Sequence, residues 1–409
     1  MTISVALATQ GCKVNQAEAE ELRQRLEASG RLVTDFSEAA HVYVIRTCTV
    51  THLADRKARN LVQRACRSNP EALVLVTGCY ARRASQELAT SPQVQVIPDG
   101  TPEDLARYLE DLPIEPRPLT GVINHAPAPR RARALVKAQD GCDQHCTYCI
   151  VPLVRGRSRS LPIEEVVRRV RELAAAGYRE VVLTGVNLTY YGQEWGGSLG
   201  ELLDHVLEAG PERLRLSSLQ PQAITDGLLL RWRDKRLCRH FHLALQSGSD
   251  AVLRRMGRRH TVAEYRAAVE RIREMVPGAS ITTDIMVGFP GESQEEFEES
   301  YNFCRETGFT RMHIFQYSPR PGTAAARLPG AVPVRTKASR SRQMLALAAQ
   351  EARAFRERFL GSTIDVLFEE EVKGRPGHWR GFTDNYLEVE VVSERALANS
   401  LLPVSLRGL

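Results

Sequence analysis

The chain alternates short apolar runs with amphipathic ones, and the alternation changes character twice. Over residues 1–110 the runs ISVALAT, VYVIRT, ALVLVTG and VQVIP read as buried strands, and QAEAEELRQRLEAS and LADRKARNLVQRACRS place apolar positions at helical spacing. Strands separated by helices predict parallel βαβ units and a small N-terminal doubly wound α/β domain. Residues 111–133, DLPIEPRPLTGVINHAPAPRRAR, are Pro-rich with a basic end and read as a linker. From 134 to 360 the strand candidates ALVKAQ, REVVLTG, RLRLSS, FHLALQ, SITTDIMVG and MHIFQYS alternate with amphipathic helices such as IEEVVRRVRELAAAG. That alternation predicts a central partial (β/α)6 barrel, closed by a long basic helix and carrying its chemistry at the carboxyl ends of its strands. Residues 361–409, with TIDVLFEEEV, HWRGFTDNYLEVEVV and LLPVSLRGL, read as a small C-terminal all-β module.

Composition narrows the picture. The chain is 409 residues long, 43% hydrophobic and 25% charged, too long for one core and free of low-complexity tracts. MTISVALATQGC lacks the basic start and apolar length of a signal peptide, and no run of about 18 apolar residues occurs. A cytoplasmic protein without membrane contact is expected. In that compartment nine cysteines read as metal ligands or catalytic thiols rather than a disulfide framework. A net charge of +6 permits a nucleic-acid partner without requiring one.

GCDQHCTYCIVP follows the first barrel strand and places Cys142, Cys146 and Cys149 on one loop as CxxxCxxC. A closed zinc site needs four ligands, and no fourth Cys or suitably spaced His follows; His145 sits beside Cys146 in a tight loop and points elsewhere. A 4Fe-4S cluster held by three cysteines keeps one iron open. The open iron can take the amino and carboxylate groups of S-adenosylmethionine (SAM), whose carbon–sulfur bond an electron then splits. Cys12, Cys48 and Cys79 each follow a strand of the N-terminal domain, and adjacent parallel strands would bring them to the edge where ligands collect. Cys66 and Cys304 in helical patterns and Cys238 in a basic stretch are expected to pack as small apolar groups. Tyr148 reads either as a shield for the loop, as a partner for adenine, or as ordinary packing.

The CxxxCxxC loop after the first strand of a partial β/α barrel resembles the radical SAM superfamily. GCKVNQ, TCTVT and TGCY ahead of it, with RGRSRS, LTGVNL, LQSGSDAVLRRMGRRHT, TTDIMVGFPGE and FQYSPRPGT behind, are similar to the methylthiotransferase family over nearly the whole chain. The resemblance implies that Cys12, Cys48 and Cys79 hold a second 4Fe-4S cluster. It implies SAM as both methyl donor and radical source, with SAM contacts from Gly185, Asn187, Gln246, Ser247, Asp284 and Gly288; each of these also reads as a turn glycine or strand-end polar cap. It further implies an electron donor such as flavodoxin or ferredoxin, a sulfur source, and a TRAM-like RNA-binding identity for the C-terminal module.

GCKVN with TCTVT resembles the branch acting on N6-threonylcarbamoyladenosine beside the tRNA anticodon; sister branches modify isopentenyladenosine or a ribosomal-protein aspartate, and a non-catalytic Fe-S or zinc RNA-binding protein is the reading from another class. An anticodon loop offers unstacked, readable bases. Arg155, Arg157 and Arg159 are the expected phosphate contacts, and Trp379, Arg380, Phe382 and Tyr386 the possible stacking groups. Arg46 stands where the family pattern has Asn, which touches loop hydrogen bonding or substrate contact but no ligand.

Overall fold

The computed structural model describes residues 3–112 and 132–408, so most of the expected linker lies outside the described residues. The N-terminal part runs β1 (Ser4–Thr9), α1 (Lys13–Ala28), β2 (Leu32–Thr34), β3 (Val42–Thr47), α2 (His52–Ser68), β4 (Leu73–Gly78), α3 (Cys79–Arg83), β5 (Val94–Val96) and α4 (Pro102–Asp111). Its sheet has the order β2-β1-β3-β4-β5, with every pairing parallel. Side chains alternate across the strands. Val42 and Val44 join Leu22 and Leu26 of α1 and Leu105 of α4 on one face, while Tyr43 and Ile45 join Ala58, Val62 and Ala65 of α2 on the other. Helices thus cover both faces, as the doubly wound reading requires. The three-residue edge strand β2 is too short to leave a period in the sequence.

The central part runs β6 (Arg133–Lys137), β7 (Gln139–Asp140), α5 (Val151–Arg155), β8 (Arg159–Ser160), α6 (Ile163–Ala175), β9 (Glu180–Thr184), α7 (Leu199–Glu208), β10 (Arg213–Leu216), β11 (Ser218–Leu219) and α8 (Asp226–Leu229). It continues through β12 (His240–Leu243), α9 (Asp250–Arg255), α10 (Val262–Met275), β13 (Ser280–Val287), α11 (Gln294–Thr307), β14 (Arg311–Gln316) and α12 (Val334–Glu357). The parallel sheets β10-β9-β6 and β11-β12-β13-β14 follow one another through Ser217, giving the six barrel strands that the alternation predicts. Leu183, Leu216, Phe241, Leu243, Ile281 and Ile285 point outward into one large core beneath the helices. The intervening residues, among them His240, His242, Thr282 and Asp284, are therefore left to the barrel interior. α11 begins with a reciprocal cap between Ser293 and Glu296, so the acidic run there serves a helix start.

Four antiparallel strands, β15 (Thr363–Glu371), β16 (His378–Thr383), β17 (Glu388–Val392) and β18 (Leu401–Ser405), form the C-terminal sheet in the order β17-β16-β15-β18. The turn between β16 and β17 closes the amino-terminal end of the barrel. Arg213 donates to the Phe382 carbonyl (3.2 Å), and Arg215 donates to the carbonyls of Asp384 (3.0 Å) and Thr383 (3.2 Å). Phe382 and Tyr386 stack on one another beneath Arg133, and Tyr386 stacks on His240. This corrects the expected use of that surface: Phe382 and Tyr386 are engaged with Arg133 and His240 of the barrel rather than displayed as free stacking groups. Trp379 packs in the sheet's own core, and Arg380 pairs with Glu370. No described helix is long and apolar enough to cross a membrane.

Candidate active site

Cys12, Cys48 and Cys79 stand just beyond the carboxyl ends of β1, β3 and β4, three neighbouring strands. Gly11 makes their approach possible. It takes φ +95°, and a Cβ there would lie 2.6 Å from the Cys48 Cβ and 2.8 Å from its Sγ. Burial pushes the Cys48 thiol up to about 12, with Cys12 and Cys79 adding to the rise, and burial also raises Cys79 against the pull of Arg155. Thiols so placed keep their protons until a metal supplies positive charge, so metal uptake here releases protons.

The second thiol set is held by the loop after β7. Gly141, at φ +67°, brings the loop against the Arg157 carbonyl, where any Cβ would clash, and the Cys142 amide donates to Gly156 O (3.1 Å). Thr147 ties the loop to the segment after α9, donating from its amide to Met256 O (2.9 Å) and from its hydroxyl to Arg255 O (2.8 Å). Burial raises Cys142, and pushes Cys149 up to about 12. Arg258 lies along the loop, 3.8 Å from the Cys146 Sγ, and is fixed by Gln220 and the Ala244 carbonyl. Tyr148 packs edge-on to Phe289 in an apolar cluster with Val252 and Met256. Cys238 and Cys304 are buried, and Cys66 lies partly buried beside Ser91.

The two thiol sets share a wall. Cys79 packs with Ile150 and Val154 of the segment directly after the CxxxCxxC loop. Beside this contact lies a charge network that the sequence did not reveal. Glu18 of α1 accepts from Arg46 (2.5 Å), Lys137 (2.6 Å) and Arg155 (3.2 Å), and Arg155 also bonds Asp140 (2.8 Å) and Asn15 (2.5 Å). Asn15 in turn donates to the carbonyls of Gln10 (2.7 Å) and Thr47 (3.1 Å), binding the Cys12 and Cys48 loops together. Although burial opposes ionisation, Arg46, Arg155 and Lys137 hold the Glu18 carboxyl well below the usual range. Arg155 is therefore a buried structural cation, not the expected phosphate contact; Arg157 and Arg159 remain exposed. Arg46 has found its partner in Glu18.

The expected SAM contacts separate into groups. Gly185 and Asn187 meet at Gln139, whose Oε1 accepts the Asn187 amide (2.8 Å), and the buried Asn187 Oδ1, beside Cys142, has no hydrogen-bond partner among the described residues. Gln246 takes a left-handed φ of +75° and exchanges backbone hydrogen bonds with Asp284 (2.8 Å) and Met286 (2.9 Å). Ser247 faces α11, bonding Ser300 (2.8 Å), and Gly288 lies under Lys337 of α12. Asp284 projects into the barrel, where one ligand atom each from His242, Asp284 and His313 lie within 4.8 Å of one another. Paired with that row, Met286 and Phe315 stand one step nearer the mouth, and Phe315 is 44% exposed. Burial holds the amine of Lys13, next to Cys12, below the usual lysine range.

A parallel partial barrel with a three-thiol loop at its mouth defines a class, and the comparisons agree. Residues 136–304 match the model of the Radical SAM superfamily, and residues 4–98 match Uncharacterized protein family UPF0004. A solved radical SAM methyltransferase, TsrM from Kitasatospora setae, shares the fold at a TM-score of 0.58 and 14% identity, over 80% of this chain and 74% of that one. Threonylcarbamoyladenosine tRNA methylthiotransferase MtaB of Bacillus subtilis (strain 168) is 37% identical over 407 residues, 94% of this chain and 90% of the relative. The tRNA-2-methylthio-N(6)-dimethylallyladenosine synthase of Geobacillus thermodenitrificans is 33% identical, over 97% of this chain and 80% of the relative. The chain belongs to the radical SAM methylthiotransferase family.

Proposed function

We propose that this chain is a tRNA methylthiotransferase that converts N6-threonylcarbamoyladenosine beside the anticodon to its 2-methylthio derivative, with SAM and two 4Fe-4S clusters. The observation that carries the reading is the pair of three-thiol sets: Cys12, Cys48 and Cys79 on one side and Cys142, Cys146 and Cys149 on the other, joined through Cys79, Ile150 and Val154. Three thiols fit a four-iron cluster with one open iron. When bound, one cluster with SAM supplies the radical chemistry and the other a sulfur for methylation and transfer. The chain's own part is to hold the two sets at a fixed separation, through Asn15, Glu18 and Arg155, and to shield the loop with Tyr148 and Phe289.

The higher identity to enzymes named for threonylcarbamoyladenosine than to those named for dimethylallyladenosine supports the substrate. Gly185, Asn187, Gln246 and Asp284 are the proposed SAM-facing positions near the loop; a low-potential electron donor and a sulfur source complete the system in the cytoplasm. After anaerobic reconstitution the full chain should hold about eight irons. Cys12→Ala should hold about four and still cleave SAM while losing methylthiolation. Stoichiometric zinc, or four irons in the unaltered chain, would contradict the reading.

A further inference from the structure

α2 leads away from the Cys48 loop, capped by Thr51, and its start is fastened to the barrel mouth. The His52 amide donates to Ser318 Oγ (3.3 Å), and the buried Asp55 accepts from Arg320 (2.5 Å), both from the loop after β14. Ala58, Val62 and Ala65 turn inward and are buried. The opposite face presents Arg56, Lys57, Arg64 and Arg67, with Asn60 and Gln63 among them, all exposed. The helix carries one carboxylate, Asp55, which lies on the inward face and is shared by Arg320 and Arg83. Outward cations on other helices are answered a turn away: Arg23 by Glu20 and Glu27 on α1, and Arg168 by Glu165 and Glu172 on α6. The four cations of α2 have no such carboxylate within their helix, and like charges a turn apart weaken it slightly. That face is balanced by nothing on its own helix and suits a polyanion from outside.

We propose that the outward face of α2 (Arg56, Lys57, Arg64 and Arg67) is the surface that grips the phosphate backbone of the anticodon stem, setting the RNA so that its loop falls at the barrel mouth. The inference rests on the tRNA reading. Arg56 and Arg67 stand ~16 Å apart along the helix axis, enough to follow several phosphates of one strand. RNA fits better than an acidic protein because α2 begins where the Cys48 loop meets the barrel mouth, the place a target base must reach. Guanidinium and carboxamide groups also match phosphate and 2′-hydroxyl partners. Val50 and Leu53, exposed between Cys48 and the charged face, offer apolar contact to unstacked loop bases. The stem is thus held by charge on a helix of the N-terminal domain, and the C-terminal sheet is left to its contacts with the barrel.

The test measures binding of an anticodon stem-loop RNA carrying N6-threonylcarbamoyladenosine to the full-length reconstituted enzyme, by filter binding over a range of salt concentrations. Replacing all four cations with Gln should weaken binding by about tenfold or more at fixed salt and lower the slope of log affinity against log salt by about three. Iron content, circular dichroism and SAM cleavage without RNA should stay as in the unaltered chain. The pairs Arg56→Gln with Lys57→Gln and Arg64→Gln with Arg67→Gln, milder changes that guard against misfolding, should each remove about half of that slope. Arg168→Gln with Arg171→Gln, an exposed pair on α6, should leave it unchanged. Unchanged affinity and slope in the α2 variants overturn the assignment while the tRNA reading stands, as does an equal loss in the α6 pair. Full RNA affinity with slower reduction of the clusters by flavodoxin overturns it too, marking a protein-docking face instead. Failure of the unaltered chain to bind the RNA at all removes the tRNA reading itself, and the α2 assignment with it.

Discussion

Glu18→Gln isolates what the buried network contributes. The substitution keeps the side chain's shape and removes its charge at a residue only 4% exposed. The three cations it serves are not equally affected. Arg155 retains Asp140 and Asn15, and Lys137 retains Asp140 at 3.4 Å. Arg46 has Glu18 as its one ion-pair partner among the described residues, and its Nε and Nη1 are already without partners. One buried guanidinium is therefore stranded, at a cost of about 3–5 kcal/mol. Removing that cation as well, in Glu18→Gln with Arg46→Gln, should recover about 1–3 kcal/mol through coupling. The assay is urea unfolding of the full chain followed by circular dichroism, for both single variants and the double. A folded carboxyl held below its ordinary value of 4.5 stabilises above that pH, and the contribution is lost as pH falls through the lower, folded value. Glu18→Gln should accordingly flatten the acid side of the stability profile. Losses of the two single variants that simply add, or an unchanged midpoint in Glu18→Gln, would refute the argument.

Three further outcomes are expected. Glu180, although buried, is held at about 2 by Arg215 and Arg213, so its contribution is full above about 4.5 and lost as pH falls toward 2; unfolding midpoints of Glu180→Gln should vary less with pH across that window. Asp55→Asn strands Arg320, which is 1% exposed and reaches across from the loop after β14 (2.5 Å), and should cost about 3–5 kcal/mol in urea unfolding. Tyr386→Leu should remove about 2 kcal/mol with the stacked Arg215, while the folded protein's tRNA affinity, measured by filter binding, stays unchanged.

The gathering of Cys12, Cys48 and Cys79 was legible because their order along the chain encodes their place: a cysteine after each of three neighbouring parallel strands must reach one edge, whatever lies between. The barrel was legible for the same reason, since its strands and helices alternate with clear periods. What stayed hidden were pairings between distant segments. Nothing near Glu18 announces Arg46 or Arg155, and an arginine beside the thiol loop reads as a phosphate contact until burial is known. Phe382 and Tyr386 look the same in sequence whether they stack on a base or plug a barrel. Asn15 sat in plain view within GCKVN, but only the fold shows that it fastens two cysteine loops.

Nucleoside mass spectrometry reads the proposed methylthiolation itself. An anticodon stem-loop carrying N6-threonylcarbamoyladenosine is incubated with the reconstituted full chain, SAM, a low-potential reductant and sulfide, then digested and analysed. 2-Methylthio-N6-threonylcarbamoyladenosine should appear with the unaltered chain, and none with Cys12→Ala. An unchanged nucleoside after incubation with a chain holding both clusters, or methylthiolation only of an isopentenyladenosine stem-loop, would contradict it.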